Sequence, residues 1–190
     1  MTQRNVWPWV SLCRIAFPNV QGCDATGDDH RTTVWNKKEI KMRYKLLNGI
    51  DNATYALVFD PGDEVMERLK VFANEHSLKA ARFTAIGAFS RVELGYFDYS
   101  IKDYKHIPVN EQVEVLSLIG DVALYGDDSK VHAHVVVGRS DGTTMGGHLL
   151  KAIVHPTLEL ILEETPGYLQ RRMDEETGLA LIDISERSNG

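Results

Sequence analysis

Between residues 80 and 164 the chain is a succession of apolar segments, "AARFTAIGAF", "RVELGYFD", "EQVEVLSLIGDVALY", "KVHAHVVVG", "TTMGGHLL" and "TLELILEE". Most are rich in β-branched or aromatic residues, and Gly, Asp or Pro bounds them. Such residues fit a pleated, half-buried surface, so the segments predict successive β-strands. Strands in that number must bury a common face, which puts a sheet at the centre of the fold.

Upstream, "MRYKLLNG" and "TYALVFD" are two further strand-like runs, and the Asn48-Gly49 and Asp51-Asn52 turn signals between them predict a hairpin. The stretch "PGDEVMERLKVFANEHSLKA" has a different period. Val65, Leu69, Phe72 and Ala73 mark one helical face, acidic residues fill the first turn, and Asp63 is placed to cap it. Near the end, "PGYLQRRMDEET" reads as a loop or helical turn and "GLALIDI" as an edge strand. No repeat of 20 to 50 residues interrupts this order. The expected fold is α+β: a single domain with one principal helix packed on a twisted, mostly antiparallel sheet or open barrel.

With 190 residues, 43% hydrophobic and 25% charged, the chain can bury one core. No run approaches the roughly 18 to 20 apolar residues that cross a bilayer. Cys13 and Cys23 stand ten residues apart, neither a disulfide framework nor a zinc knuckle, and fit a reducing, cytoplasmic setting. Residues 1–41 hold all three tryptophans and both cysteines and have no sustained period. They are read as an extension to a domain at 42–190, either a disordered arm or sequence upstream of the true start. Codons for Lys38 and Glu39 can spell AAGGAG, six nucleotides before Met42, as a bacterial ribosome-binding site does. Residues 42 to 190 carry 15 basic and 23 acidic side chains, a formal charge of −8. That balance opposes sequence-independent DNA binding unless basic residues collect on one face.

The stretch "VHAHVVVGRSDGTTMGGHLL" carries the chemistry. On a strand, alternate residues share a face, so His132 and His134 project together while Val131, Ala133, Val135 and Val137 point the other way. The Asp141-Gly142 turn signal predicts that "TTMGGHLL" returns antiparallel, bringing His148 back near His134. A two-residue turn at 141–142 would pair His148 with Val135 and put it on the wrong face. A shared face therefore requires an odd-length loop or a bulge, for which Gly146 and Gly147 are the expected device. Three neutral imidazoles suit Zn²⁺, with a fourth position open to water or substrate in a catalytic site. The spacing alone also admits two surface histidines and one in a turn.

The segments "GAFSRVELGYFD", "EVLSLIGDVAL", "HAHVVVGRSDGTTMGGHLL" and "PTLELIL" together resemble the PPC domain, the plant and prokaryote conserved domain also called DUF296, over about Met42 to Glu164. The resemblance implies a compact α+β fold and a homotrimer. It also implies a description as DNA-binding, although the chain has no Arg-Gly-Arg-Pro segment of the AT-hook kind that plant relatives attach. More distantly, the PPC fold resembles acetolactate decarboxylase and a related zinc-dependent ester hydrolase, which hold zinc through a His-x-His pair and a later third histidine. His132, His134 and His148 match that arrangement, which makes them the expected metal ligands.

Two functions compete on this reading: a trimeric, DNA-associated or protein-associated regulatory module with a bound metal, and a zinc-dependent hydrolase or lyase acting on a small carbonyl or ester. The enzyme would need a proton carrier and an anion clamp. Glu159, Arg139 and Tyr96 have the right chemistry, yet each fits a solvated strand, a turn charge or a packing role better. His76 near a helix end, His106 in a polar loop and His155 before Pro156 are expected to be structural or solvent-facing. Gly87, between apolar residues, is expected where backbone approaches closely.

Overall fold

The computed structural model describes residues 42–49, 52–165, 167 and 169–185; both readings of residues 1–41 lie outside them. The described residues fall in one compact unit, Glu39–Gly190. They form nine strands and one helix: β1 (Arg43–Asn48), β2 (Thr54–Phe59), α1 (Val65–Glu75), β3 (Ala80–Asp98), β4 (Asp103–Val109), β5 (Val113–Tyr125), β6 (Asp128–Gly138), β7 (Thr144–Glu164), β8 (Gln170–Met173) and β9 (Ala180–Asp183). No helix among them is long and apolar enough to cross a membrane.

The strands make a single sheet in the order β1-β2-β7-β3-β5-β8-β9, with β4 on β3 and β6 bridging β5 and β7. All pairings are antiparallel except β5 with β8. Two strands organise it. β3 joins the segments "AARFTAIGAF" and "RVELGYFD" in 19 continuous residues, and β7 joins "TTMGGHLL" and "TLELILEE" in 21. They pair with each other along most of their length, with register shifts at Gly87/Phe89, Phe89/Arg91 and Glu93/Leu94. These irregularities bend both strands. The pairing circuit β3-β5-β6-β7 therefore curls the sheet without closing a regular barrel.

The helix forms where the period predicts, and it buries Val65, Leu69, Phe72 and Ala73. Its cap is Glu64 rather than Asp63: the Glu64 carboxylate accepts from Met66 N at 3.2 Å and Glu67 N at 2.7 Å. Asp63 is instead occupied by Asp60 N at 2.9 Å and Arg68 Nε at 3.0 Å. α1 packs on β6 and β7. Its apolar face meets Val135, Val137, Leu149, Phe83 and Phe89 in one cluster of buried residues. Each such side chain contributes about 1.5–3 kcal/mol on transfer from water.

Two segments read as irregular are strands. "PGYLQRRMDEET" contains β8, whose four residues are too few to show a period. His106, expected in a polar loop, lies on β4, where its Nδ1 meets Glu93 Oε1 at 2.8 Å. β4 is exposed along most of its length, so charge at its surface hid the strand. His76 sits at the helix end as expected and stacks on Phe72, ring centroids 4.0 Å apart.

Gly87 has φ +151, and a Cβ there would stand 2.4 Å from the Thr157 carbonyl oxygen, the close backbone approach its setting predicted. Gly126 has φ +64 in open space. Gly87→Ala is expected to destabilise the fold by about 2 kcal/mol or more, through overpacking against backbone. Gly126→Ala should cost only about 1 kcal/mol, for a side chain at positive φ. Chemical denaturation of the two variants measures the difference.

Candidate metal centre

β6 alternates as its sequence requires: Ala133, Val135 and Val137 are buried in the core, while His132 and His134 stand on the outer face. His134 pairs directly with His148 on β7, so both imidazoles share that face. The register is set by the loop. Arg139 N donates to Thr143 O at 2.9 Å and Gly142 N to Arg139 O at 2.9 Å, closing a three-residue turn, Ser140-Asp141-Gly142, with Gly142 at φ +82. The odd-length loop is thus the device that aligns the histidines. The expected Gly146–Gly147 bulge does not form: the two glycines pair regularly with Val136 and Val135. Gly147 instead admits β3, since a Cβ on it would lie 2.8 Å from the Gly95 carbonyl oxygen.

Three imidazoles converge here. Ring centroids are 5.2 Å apart for His132 and His134, 5.0 Å for His132 and His148, and 5.3 Å for His134 and His148. Each ring offers a nitrogen within 4.8 Å of the others. Nδ1 of His148 is buried and has no hydrogen-bond partner, a costly state for a polar atom. Burial, then the neighbouring His132, His134 and Lys130, pushes the His148 pKa down to about 4. Burial, then His132, lowers that of His134. Both rings are therefore neutral at pH 7, the state in which imidazole ligates a metal.

Two neighbours complete the surroundings. The Tyr104 ring on β4 stacks on His148, centroids 4.7 Å apart at 27°. Gly95, paired with His148, leaves room for it, because a Cβ there would stand 2.8 Å from Tyr104 Cδ1. On β5, Asp121 pairs with His132, and its Oδ2 lies 3.5 Å from His132 Nδ1. Burial alone would raise the Asp121 pKa; its contacts with His132 and Arg171 outweigh this and hold the carboxyl below the usual range. Neither residue was singled out from the sequence. For Asp121 a signal existed: Gly126-Asp127 is a two-residue hairpin turn, and counting back from Tyr125 and Asp128 pairs Asp121 with His132. Tyr104 carried no such signal, because β4 reaches His148 only through β3.

The other polar side chains considered lie elsewhere. Glu159 pairs with Val58 and Ile86 on the far half of β7 from His148. Arg139, in the turn, donates to Glu111 Oε1 at 2.7 Å. Tyr96 follows Gly95 and so points to the opposite face from His148. His155 is an exposed residue of β7.

The family model of the Plants and Prokaryotes Conserved (PCC) domain matches residues 48–166. Among solved structures, a candidate DNA-binding protein from Bacteroides thetaiotaomicron is similar with a TM-score of 0.71 and 26% identity, over 76% of this chain and 99% of that one. A plant- and prokaryote-conserved (PPC) protein from Pyrococcus horikoshii is similar with a TM-score of 0.66 and 31% identity, over 76% and 97%. A metal-containing protein from Archaeoglobus fulgidus follows with 0.64 and 31%, over 75% and 97%. The bifunctional protein GlmU of Synechococcus sp. (strain JA-3-3Ab) is 30% identical over 135 residues, 70% of this chain. The chain spans 20% of the length of that curated relative. With the family model matching residues 48–166 and the fold shared with a PPC protein at 31% identity, this chain belongs to the Plants and Prokaryotes Conserved domain family.

Proposed function

We propose that His132, His134 and His148 hold a divalent metal, zinc, in a homotrimeric PPC-domain protein that serves as a DNA-associated regulatory module. One observation carries the metal: the buried, unpartnered Nδ1 of His148 stands in a group of three imidazoles whose donor atoms lie within 4.8 Å of one another. A polar atom left so is explained by a ligand that the cluster is built to receive. The set is all nitrogen, which suits zinc, and Asp121 behind His132 is the carboxylate that commonly backs a metal-bound histidine. That a relative from Archaeoglobus fulgidus is metal-containing supports the same reading. When bound, zinc would supply Lewis acidity at the surface of the sheet.

The trimer is supported by an apolar outer face. Ile119 pairs with His134 and with Thr84, and Thr84 pairs with Ile161, so both isoleucines lie in register with the cluster. Ile119 is 56% exposed, and Ile86, Leu116 and Val136 are also exposed. A grouped apolar face of this kind belongs at an interface. DNA association is supported by the name of the Bacteroides relative. The charge of −8 over residues 42 to 190 sets its condition: direct contact requires basic residues gathered on one face of the assembly.

A second reading, a zinc-dependent hydrolase or lyase for a small carbonyl or ester, is favoured by the ligand count. Among the described residues the cluster offers three histidines and no fourth protein ligand, which leaves a place for substrate. His134, the exposed member, would face it.

Metal analysis of the purified protein should give one zinc per chain and near zero for His132→Ala and His148→Ala; equal content in all three proteins rejects the site. Zinc at about 100 times its Kd should stabilise the wild type by about 2.7 kcal/mol in calorimetry, a gain absent from both variants. Sedimentation should show three chains, and Ile119→Glu should shift the population toward monomer. DNA affinity should fall steeply between 50 and 200 mM salt. No binding at low salt, together with turnover in an ester and carbonyl screen, would select the enzyme instead.

A further inference from the structure

Arg171 on β8 lies beyond residue 166, where the family match ends. Its side chain is 5% exposed and its Nη2 is bonded to Asp121 Oδ1, whose side chain is 28% exposed. The other carboxylate oxygen, Oδ2, faces Nδ1 of His132, 37% exposed, at 3.5 Å. Guanidinium, carboxylate and imidazole thus form a line from the interior to the histidine cluster. The guanidinium is also tied to the second strand of its hairpin, since Nη1 donates to Ala180 O at 3.0 Å. An arginine so buried is tolerated only when paired, and the pair leaves Asp121 with one oxygen committed and one aimed at the imidazole. A carboxylate in that place fixes a ligating histidine as its Nδ1–H tautomer and leaves the Nε2 lone pair for the metal.

We infer that Arg171 is a positioning residue for the metal centre: it clamps Asp121, which holds His132 with Nε2 free to ligate. The C-terminal hairpin is thereby part of the site rather than an edge ornament of the sheet. This rests on the metal reading of the three histidines, and the test separates the two. The tautomer of His132 is read in metal-free protein by imidazole nitrogen–carbon NMR correlations, and zinc affinity by competition with a chelator. Wild type is compared with Arg171→Met, Arg171→Lys, Asp121→Asn, the double variant Arg171→Met with Asp121→Asn, and Arg172→Ala. Arg172 pairs with Asp183 inside the hairpin and serves as the control.

Wild-type His132 should be the Nδ1–H tautomer. Arg171→Met and Asp121→Asn should each yield a mixture and weaken zinc binding about 10- to 100-fold. The double variant should fall no further than the worse single one, because Arg171 acts through Asp121. Arg171→Lys should recover part of the loss and Arg172→Ala should change neither reading. A folded Arg171→Met protein with wild-type tautomer and affinity overturns the inference. If that variant fails to fold, unchanged tautomer and affinity in Asp121→Asn overturn it equally. A wild type that takes up no zinc, while both single variants lose the tautomer, rejects the metal reading and retains the positioning.

Discussion

The pairing of His134 with His148 across the β6–β7 hairpin is the constraint on which the rest depends. Side chains alternate along a strand, so one residue of slip would turn His148 inward and Leu149 outward. Leu149 is fully buried against the same cluster as Val135, Val137 and the apolar face of α1. Burial of those residues and convergence of the imidazoles are therefore one register seen from two faces. The three-residue turn at Ser140-Asp141-Gly142 sets that register, and core burial holds it.

β3 and β7 extend the consequence across the sheet. Because each is long and bent, β7 pairs with β6 at its beginning and with β2 at its end, while β3 runs beside it throughout. One face of this curled sheet receives the helix; the other carries the histidines and a set of exposed isoleucines, leucine and valine. The geometry thus puts the polar chemistry beside an apolar surface rather than in a deep pocket. In the assembly proposed above, a metal held by the three histidines would lie beside that apolar surface.

Behind the histidines the polar groups are graded by burial. Arg171 is inside, Asp121 is half-buried, and His132 is somewhat more exposed. Each link satisfies the next: the guanidinium neutralises the carboxylate, and the carboxylate faces the imidazole. His148 is supported differently, by the stacked ring of Tyr104, and its Nδ1 remains without a partner in the protein.

Much of this was legible in the residues themselves. The helical face at Val65, Leu69, Phe72 and Ala73, the strand character of the central segments and the parallel projection of His132 and His134 follow from periods that any local stretch displays. The need for an odd-length loop follows from the same alternation. What local sequence did not display was which group would be nearest once strands distant in the chain lay side by side. Asp63 is a good cap by type, but Asp60 and Arg68 engage it and Glu64 takes the helix end. β4 and β8 are short or exposed and become strands by pairing, β4 with β3 and β8 with β9 and, at Gln170, β5, which supply the hydrogen bonds their own composition does not demand. Tyr104 and Arg171 reach the site across those partners, over separations that no period encodes. The sequence by itself determined the helix, the central strands and the shared direction of two histidines, because these are properties of a single strand or helix. Only the tertiary structure decided the third histidine's register and the groups behind the site, because these depend on pairing between strands.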